Sequence, residues 1–216
     1  MDELIIAVPK GRLLGPLMDL WEGAGLSGEL LRTQSRRLVI VDGERKLKYI
    51  LAKPGDVPTY VEYGAADLGV VGKDVLLEEG ADVSELLDLD FGRCQMVVAV
   101  PKERGITRVD QLDYNSRVAT KYPNIARDYF SRQGLQVEVI KLGGSIELGP
   151  MVGLAEAIVD ITETGGTLLA NDLEPIAQVA AISARLIVNP IRYRVKLARI
   201  QPLVDALSGA LERKGA

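Results

Sequence analysis

The densest chemistry in the chain lies in Ala157-Ile158-Val159-Asp160-Ile161-Thr162-Glu163-Thr164-Gly165-Gly166-Thr167-Leu168. A short apolar run of this kind reads as a buried strand. It stops at the turn Thr162–Thr167, and Leu168-Leu169-Ala170-Asn171 begins a helix. A strand, a glycine-rich turn and a helix start leave several backbone N–H groups aimed at one spot. The helix terminus adds about half a positive charge there, so the spot suits a phosphate. Asp160 and Glu163 stand beside it. An anion site flanked by acids fits a sugar phosphate, with the phosphate on the amides of Thr164, Gly165, Gly166 and Thr167. The acids are then left for ribose hydroxyls or a Mg²⁺ ion. No Lys-Ser/Thr pair follows the glycines, so the loop is not a Walker motif.

Basic residues gather elsewhere. Lys10 and Arg12 follow the first apolar run, Arg36 opens the next, and Lys53 precedes Pro54-Gly55-Asp56. Arginine grips phosphate bidentately. A phosphate cradle faced by arginines suits a doubly phosphorylated sugar whose diphosphate must leave. Arg192, Arg194, Lys196 and Arg199 read instead as a solvated or partner-facing helix face.

The chain contains no histidine, which excludes imidazole acid–base catalysis, histidine triads and histidine-ligated metals. Chemistry here must run on Asp, Glu, Lys, Arg, Tyr and backbone dipoles. The single cysteine, Cys94, sits in an apolar run and reads as core filler; no cysteine metal cluster is expected. A net charge of −4 and the absence of a basic run argue against nucleic acid as a partner. No apolar run is long enough to span a bilayer. Met1-Asp2-Glu3 is acidic where a signal peptide is basic, so a cytoplasmic location is expected.

These groups must be positioned by a run of alternating elements. Strands are expected at Leu4–Val8, Arg36–Val41, Lys46–Leu51, Leu68–Val71, Cys94–Val100, Arg117–Thr120 and Val137–Leu142. Leu13, Leu17, Leu20, Trp21 and Ala24 have helical spacing, with Gly25 as the stop. Further helices are expected at Val57–Tyr63, Ile125–Gln133 and Glu147–Val152. A strand-like run follows over Ile176–Val188, then a helical tail over Ile191–Arg213 with a kink at Pro202.

A weak internal repeat emerges. Pro9-Lys10-Gly11-Arg12 before a helix closing at Gly25-Leu26 echoes Lys121-Tyr122-Pro123-Asn124 before one closing at Gly134-Leu135. Gly64–Val71 likewise echoes Gly153–Asp160. The expected class is α/β with two similarly wired lobes and a central cleft. Lobe I would comprise residues 1–92 plus 181–216, and lobe II residues 93–180. Ligands of open α/β sheets collect beyond the carboxyl ends of the strands. Here those ends are the loops at 9–12, 72–74, 121–124, 143–147 and 162–167.

Pro9-Lys10-Gly11-Arg12-Leu13, Asp56–Glu62, Val118–Ala126, Leu142–Leu148 and Gly153–Asn171 together resemble the ATP phosphoribosyltransferases, in the short form. The resemblance implies a periplasmic-binding-protein type II fold. It also implies transfer of the phosphoribosyl group of phosphoribosyl pyrophosphate to N1 of ATP. Asp160–Thr167 would take the ribose and 5-phosphate, and Arg12 and Arg36, with Lys10 nearby, would face the leaving pyrophosphate. Lys53 stands where many relatives carry Arg, keeping charge without the bidentate fork. Glu147, Lys121 and Tyr122 are adenine-pocket candidates by loop position.

Mg²⁺ would arrive with the substrates, with no protein metal site. A histidyl-tRNA-synthetase-like regulatory subunit and a homodimer within a hetero-oligomer are further implications. The alternative from another class is a non-catalytic small-anion-binding protein on the same bilobal fold.

Overall fold

The computed structural model describes residues 3–32 and 37–215. The first stretch of elements is β1 (Leu4–Pro9), α1 (Leu14–Gly23), α2 (Glu29–Arg32), β2 (Val39–Asp42), β3 (Leu47–Ala52), α3 (Val57–Glu62), β4 (Leu68–Gly72), α4 (Lys73–Glu79) and β5 (Ser84–Asp88). Then come β6 (Cys94–Pro101), β7 (Arg117–Thr120), α5 (Pro123–Arg132), β8 (Glu138–Lys141), α6 (Leu148–Met151), β9 (Ala157–Thr162), α7 (Gly166–Ala170) and β10 (Leu173–Ile182). The chain closes with β11 (Ala184–Val188), α8 (Pro190–Val195) and α9 (Leu197–Gly215). It divides into two compact units, Met1–Gly92 with Ser183–Ala216, and Arg93–Ile182.

Among the described residues the first unit holds a six-stranded sheet in the order β2-β3-β1-β4-β11-β5. Its centre is parallel, with β3, β1 and β4 running the same way. Both faces are covered, which is why Leu4–Val8 is apolar throughout rather than alternating. Leu4, Ile6 and Val8 face a core with Leu17, Leu20 and Trp21 of α1 and Ile200, Leu203 and Leu207 of α9. Ala7 turns the other way, onto Val57 and Val61 of α3. A Cβ at Gly69 would lie 2.8 Å from side-chain carbons of both valines, so glycine lets α3 settle on β4.

The second unit holds a five-stranded sheet among the described residues, β10-β6-β9-β7-β8, with β8, β7 and β9 parallel. Read from the opposite edge, it repeats the wiring of the first. β3, β1, β4, β11 and β5 correspond to β8, β7, β9, β6 and β10, each pair with matching neighbours and directions. The repeat extends to side chains. Asp67, just before β4, accepts the Ile5 N–H at 2.9 Å, while its own N–H donates to Ile5 O at 2.8 Å. Glu156, just before β9, accepts the Arg117 N–H at 2.6 Å and donates to Arg117 O at 2.8 Å. Each carboxylate thereby locks the start of one parallel pair.

Several expectations need correction. The run Ile176–Val188 is two strands, because the chain leaves the second sheet after Ile182 and enters the first at Ala184. The strand β5 carries little apolar signal in Ser84-Glu85-Leu86-Leu87-Asp88, being a half-exposed edge. The tail breaks at Lys196 into two helices, with Pro202 inside the second. That break turns Lys196 inward. It donates to Asp67 Oδ2 and to Glu3 O, both at 2.7 Å. Arg192 reaches Gly64 O at 3.3 Å and Arg199 reaches Arg45 O at 2.8 Å, so three of the four tail cations hold the first unit together.

Asp67 is only 2% exposed. Removing it strips partners from a part-buried ammonium and from the Ile5 amide. Asp67→Ala is expected to cost about 3 kcal/mol. That lowers Tm by roughly 6–12 °C for a chain of this size. Calorimetry checks this, and an unchanged Tm contradicts the locking role.

Candidate active site

In the second unit, Thr120 is in register with Lys141 of β8 on one side and Val159 of β9 on the other. Parallel register therefore places the segments 121–124 and 142–147 and the part of β9 from Asp160 onward, with the turn that follows it, at one end of the sheet. Asp160 is half-buried at this end, and its Oδ1 accepts the Ile161 N–H at 2.8 Å. Burial pushes its carboxyl above the ordinary Asp value. The Ile161 hydrogen bond opposes that shift, the Glu147 charge adds to it, and the Lys121 charge opposes it. Asp160, Glu147 and Lys121 thus share one electrostatic neighbourhood, brought together from three segments.

Glu147 sits half-buried at the N-cap of α6. Lys121 is exposed, its ammonium 5.8 Å from the centre of the Tyr122 ring. Tyr122 itself is 5% exposed and packs in the core with Val118, Ile125 and Phe130. Its ring is built into the fold rather than offered to a base, which departs from its place among the adenine-pocket candidates.

The glycine turn is pre-shaped by its own hydroxyls. The Gly165 N–H donates to Thr162 Oγ1 at 2.9 Å, and the Gly166 N–H to Thr164 Oγ1 at 3.4 Å. Gly165 has φ +77°, a conformation that costs a side-chain-bearing residue heavily. The helix α7 starts at Gly166 and has only five residues, so its dipole is small. Anion affinity here rests on the local amides and hydroxyls. Glu163, Thr164 and Thr167 are exposed.

In the first unit, Pro9 is in register with Ala52, and the Lys10 N–H donates to Ala52 O at 2.9 Å. Lys10 and Lys53 therefore leave adjacent parallel strands at the same edge. Gly11 (φ +92°) makes the turn, and the Leu14 N–H donates to its carbonyl at 3.1 Å, starting α1. Arg12 rides exposed on that turn. Arg36 lies outside the described residues. Lys73, also at this edge, is ion-paired with Glu85 of the unforeseen β5. Arg185 pairs with Asp88 of the same strand at 2.9 Å. Among the described residues no three His, Cys, Asp or Glu side chains converge as a metal cage.

The family model "HisG: ATP phosphoribosyltransferase" matches residues 53–209. An ATP phosphoribosyltransferase of Thermoanaerobacter pseudethanolicus is 50% identical over 212 residues, covering 98% of each chain. One of Ruminiclostridium cellulolyticum is 47% identical over 217 residues, covering 100% of each. A chain of the ATP phosphoribosyl transferase (HisG:HisZ) complex from Thermotoga maritima superimposes with TM-score 0.83 at 34% identity, covering 97% of this chain and 99% of that one. The periplasmic aliphatic sulphonate binding protein SsuA from Escherichia coli shares the fold, with TM-score 0.64 at 17% identity, covering 98% and 69%.

The raised carboxyl at Asp160 has a signed consequence. Its contribution to stability is complete below the ordinary Asp value, about pH 4. That contribution is lost as pH rises through the higher native value. Asp160→Asn, which keeps an acceptor for Ile161 and carries no charge, is therefore expected to melt higher than the parent near neutral pH. Its advantage should shrink towards pH 4. Melting curves across that range test this, and an Asn variant less stable at neutral pH contradicts it.

Proposed function

The chain belongs to the ATP phosphoribosyltransferase family, and on that premise we propose how its residues divide the work. The reaction transfers the phosphoribosyl group of phosphoribosyl pyrophosphate to N1 of ATP and releases pyrophosphate, the first step of histidine biosynthesis.

The N1 lone pair of adenine is free at neutral pH, so attack on the ribosyl C1 needs no protein base. A bond forms from N1 to C1 while the C1–O bond breaks, and its electron pair leaves with pyrophosphate. Displacement inverts C1. The transition state asks for charge stabilisation, as the sugar becomes cationic and the leaving group gains negative charge. A chain without histidine is equal to that task.

The observation that supports the residue assignment is that the contiguous segment Asp160–Thr167 follows directly on the parallel pairing of β9 with β7, at the carboxyl end of both strands. The 5-phosphate takes the turn amides, displacing the Thr162 and Thr164 hydroxyls from Gly165 and Gly166. Asp160 and Glu163 receive ribose hydroxyls and face the developing cation. Arg12 and Arg36, with Lys10 and Lys53, stabilise the departing pyrophosphate. Glu147 and Lys121 border the adenine side.

Mg²⁺ arrives as part of the phosphorylated substrates. Ion binding through substrate phosphates rather than an all-protein cage is the usual habit of Mg²⁺. A regulatory subunit related to HisZ is the proposed partner, supported by the likeness to a chain of the HisG:HisZ complex from Thermotoga maritima. A homodimer within that hetero-oligomer completes the proposal. The non-catalytic alternative finds its likeness only in fold, at 17% identity or less.

Pyrophosphate release from phosphoribosyl pyrophosphate, ATP and Mg²⁺, with and without the regulatory subunit, tests the assignment. Arg12→Ala is expected to lower kcat about 10²-fold. The Arg12→Ala/Arg36→Ala pair should lose more. A double variant with intact turnover sinks the arginine roles.

A further inference from the structure

Thr120 ends β7 with its side chain fully buried. Its hydroxyl donates to Val159 O at 2.6 Å and accepts the Tyr122 N–H at 2.9 Å. Val159 immediately precedes Asp160, and Tyr122 immediately follows Lys121. One buried hydroxyl therefore ties the backbone beside both residues to a single point.

The other half of the repeat supplies an internal control. Ile5 and Arg117 correspond, because each exchanges hydrogen bonds with the acid that precedes the neighbouring strand. Counting forward, Val8 corresponds to Thr120 and Lys10 to Tyr122. Val8 is just as buried and nearly the same shape, with no hydroxyl. There the Lys10 N–H continues the ladder to Ala52 O, and β1 stays paired with β3 through Pro9. In the second unit the pairing of β7 with β8 stops one position sooner, at Thr120. The Tyr122 N–H has been taken up by Thr120 Oγ1 instead. The first unit thus completes the same turn of the wiring with valine at this place. What the hydroxyl adds is an early end to the ladder and a bend at Lys121 anchored to β9.

We propose that Thr120 is a positioning residue for the transfer reaction, holding Lys121 in place beside Asp160 at the sugar-binding edge of the second unit. This rests on the assignment of Asp160 to the ribose. Valine in place of Thr120 removes the hydroxyl that takes up the buried Tyr122 N–H and that donates to Val159 O, so the segment loses its tie to β9. The groups whose charges act on Asp160 are Lys121, from the segment after β7, and Glu147, at the start of α6. Loss of the anchor loosens the placement of Lys121, the charge that favours the Asp160 carboxylate, against burial and Glu147, which oppose it.

The test compares parent, Thr120→Ser and Thr120→Val in steady-state pyrophosphate release across pH, with the regulatory subunit present. Thr120→Val is expected to lower kcat/KM for phosphoribosyl pyrophosphate by about 10²-fold, the scale of a small misplacement at a reacting centre. Its acid limb should move to higher pH, because Lys121 is less well placed to favour the Asp160 carboxylate. Thr120→Ser should restore both. A purely structural Thr120 lowers Tm and leaves the acid limb where it was.

Should Thr120→Val not fold, Lys121→Met carries the same expectation of an upward limb. A parent-like limb and kcat/KM in the valine variant, an unmoved limb in Lys121→Met, or a serine variant as impaired as valine, overturns the positioning role alone. A parent chain that releases no pyrophosphate overturns the reaction assignment and the positioning role with it.

Discussion

The parallel register of β7 with β9 is the constraint on which the candidate site depends. A carboxylate locks one end of that pair, where Glu156 exchanges hydrogen bonds with the Arg117 backbone and its side chain meets the Arg117 guanidinium at 2.5 Å. The Arg117 contact holds the Glu156 carboxyl below its ordinary value, so the lock is charged at neutral pH. The Thr120 hydroxyl fixes the other end. Between these two points no slip of register is possible without exposing Val118 and Val159, both fully buried. Everything that leaves the carboxyl edge, from Lys121 to Asp160, inherits its position from that alignment.

The repeat gives the same device twice. Asp67 plays the part of Glu156 and is neutralised by Lys196, a residue from the far end of the chain. The first unit is assembled from both ends of the sequence, and this ion pair is where the last two helices are fastened to the first strand. The second unit carries Thr120 where the first carries Val8, and a bend where the first continues its ladder. The second unit carries Asp160 and Glu163 at this end of its sheet, while the first carries Lys10, Arg12 and Lys53 at the corresponding end.

Much of this was legible in the sequence because it is local. The glycine turn and the stop at Gly25 follow from residue types at fixed spacing. The echo of Gly64–Val71 in Gly153–Asp160 disclosed the doubled wiring. Illegible features are those decided at long range. The exit from one sheet and entry into the other at Ser183 leaves no mark in a run that is apolar on both sides. The inward turn of Lys196 depends on an acid more than a hundred residues away. Tyr122 reads as a loop aromatic until the core around Phe130 closes over it. The latching role of Thr120 has a faint signal, a hydroxyl where its counterpart in the repeat is valine.

The proposed seat of the sugar phosphate is the turn Thr164–Thr167, with catalysis supplied by charge rather than by a proton-transfer base. Amide hydrogen exchange of the free chain against the chain with ribose 5-phosphate reads this seat without requiring turnover. Slowed exchange confined to the amides of residues 164–168 is the predicted result. Unchanged exchange there, with protection appearing at the Lys10–Arg12 turn instead, contradicts it.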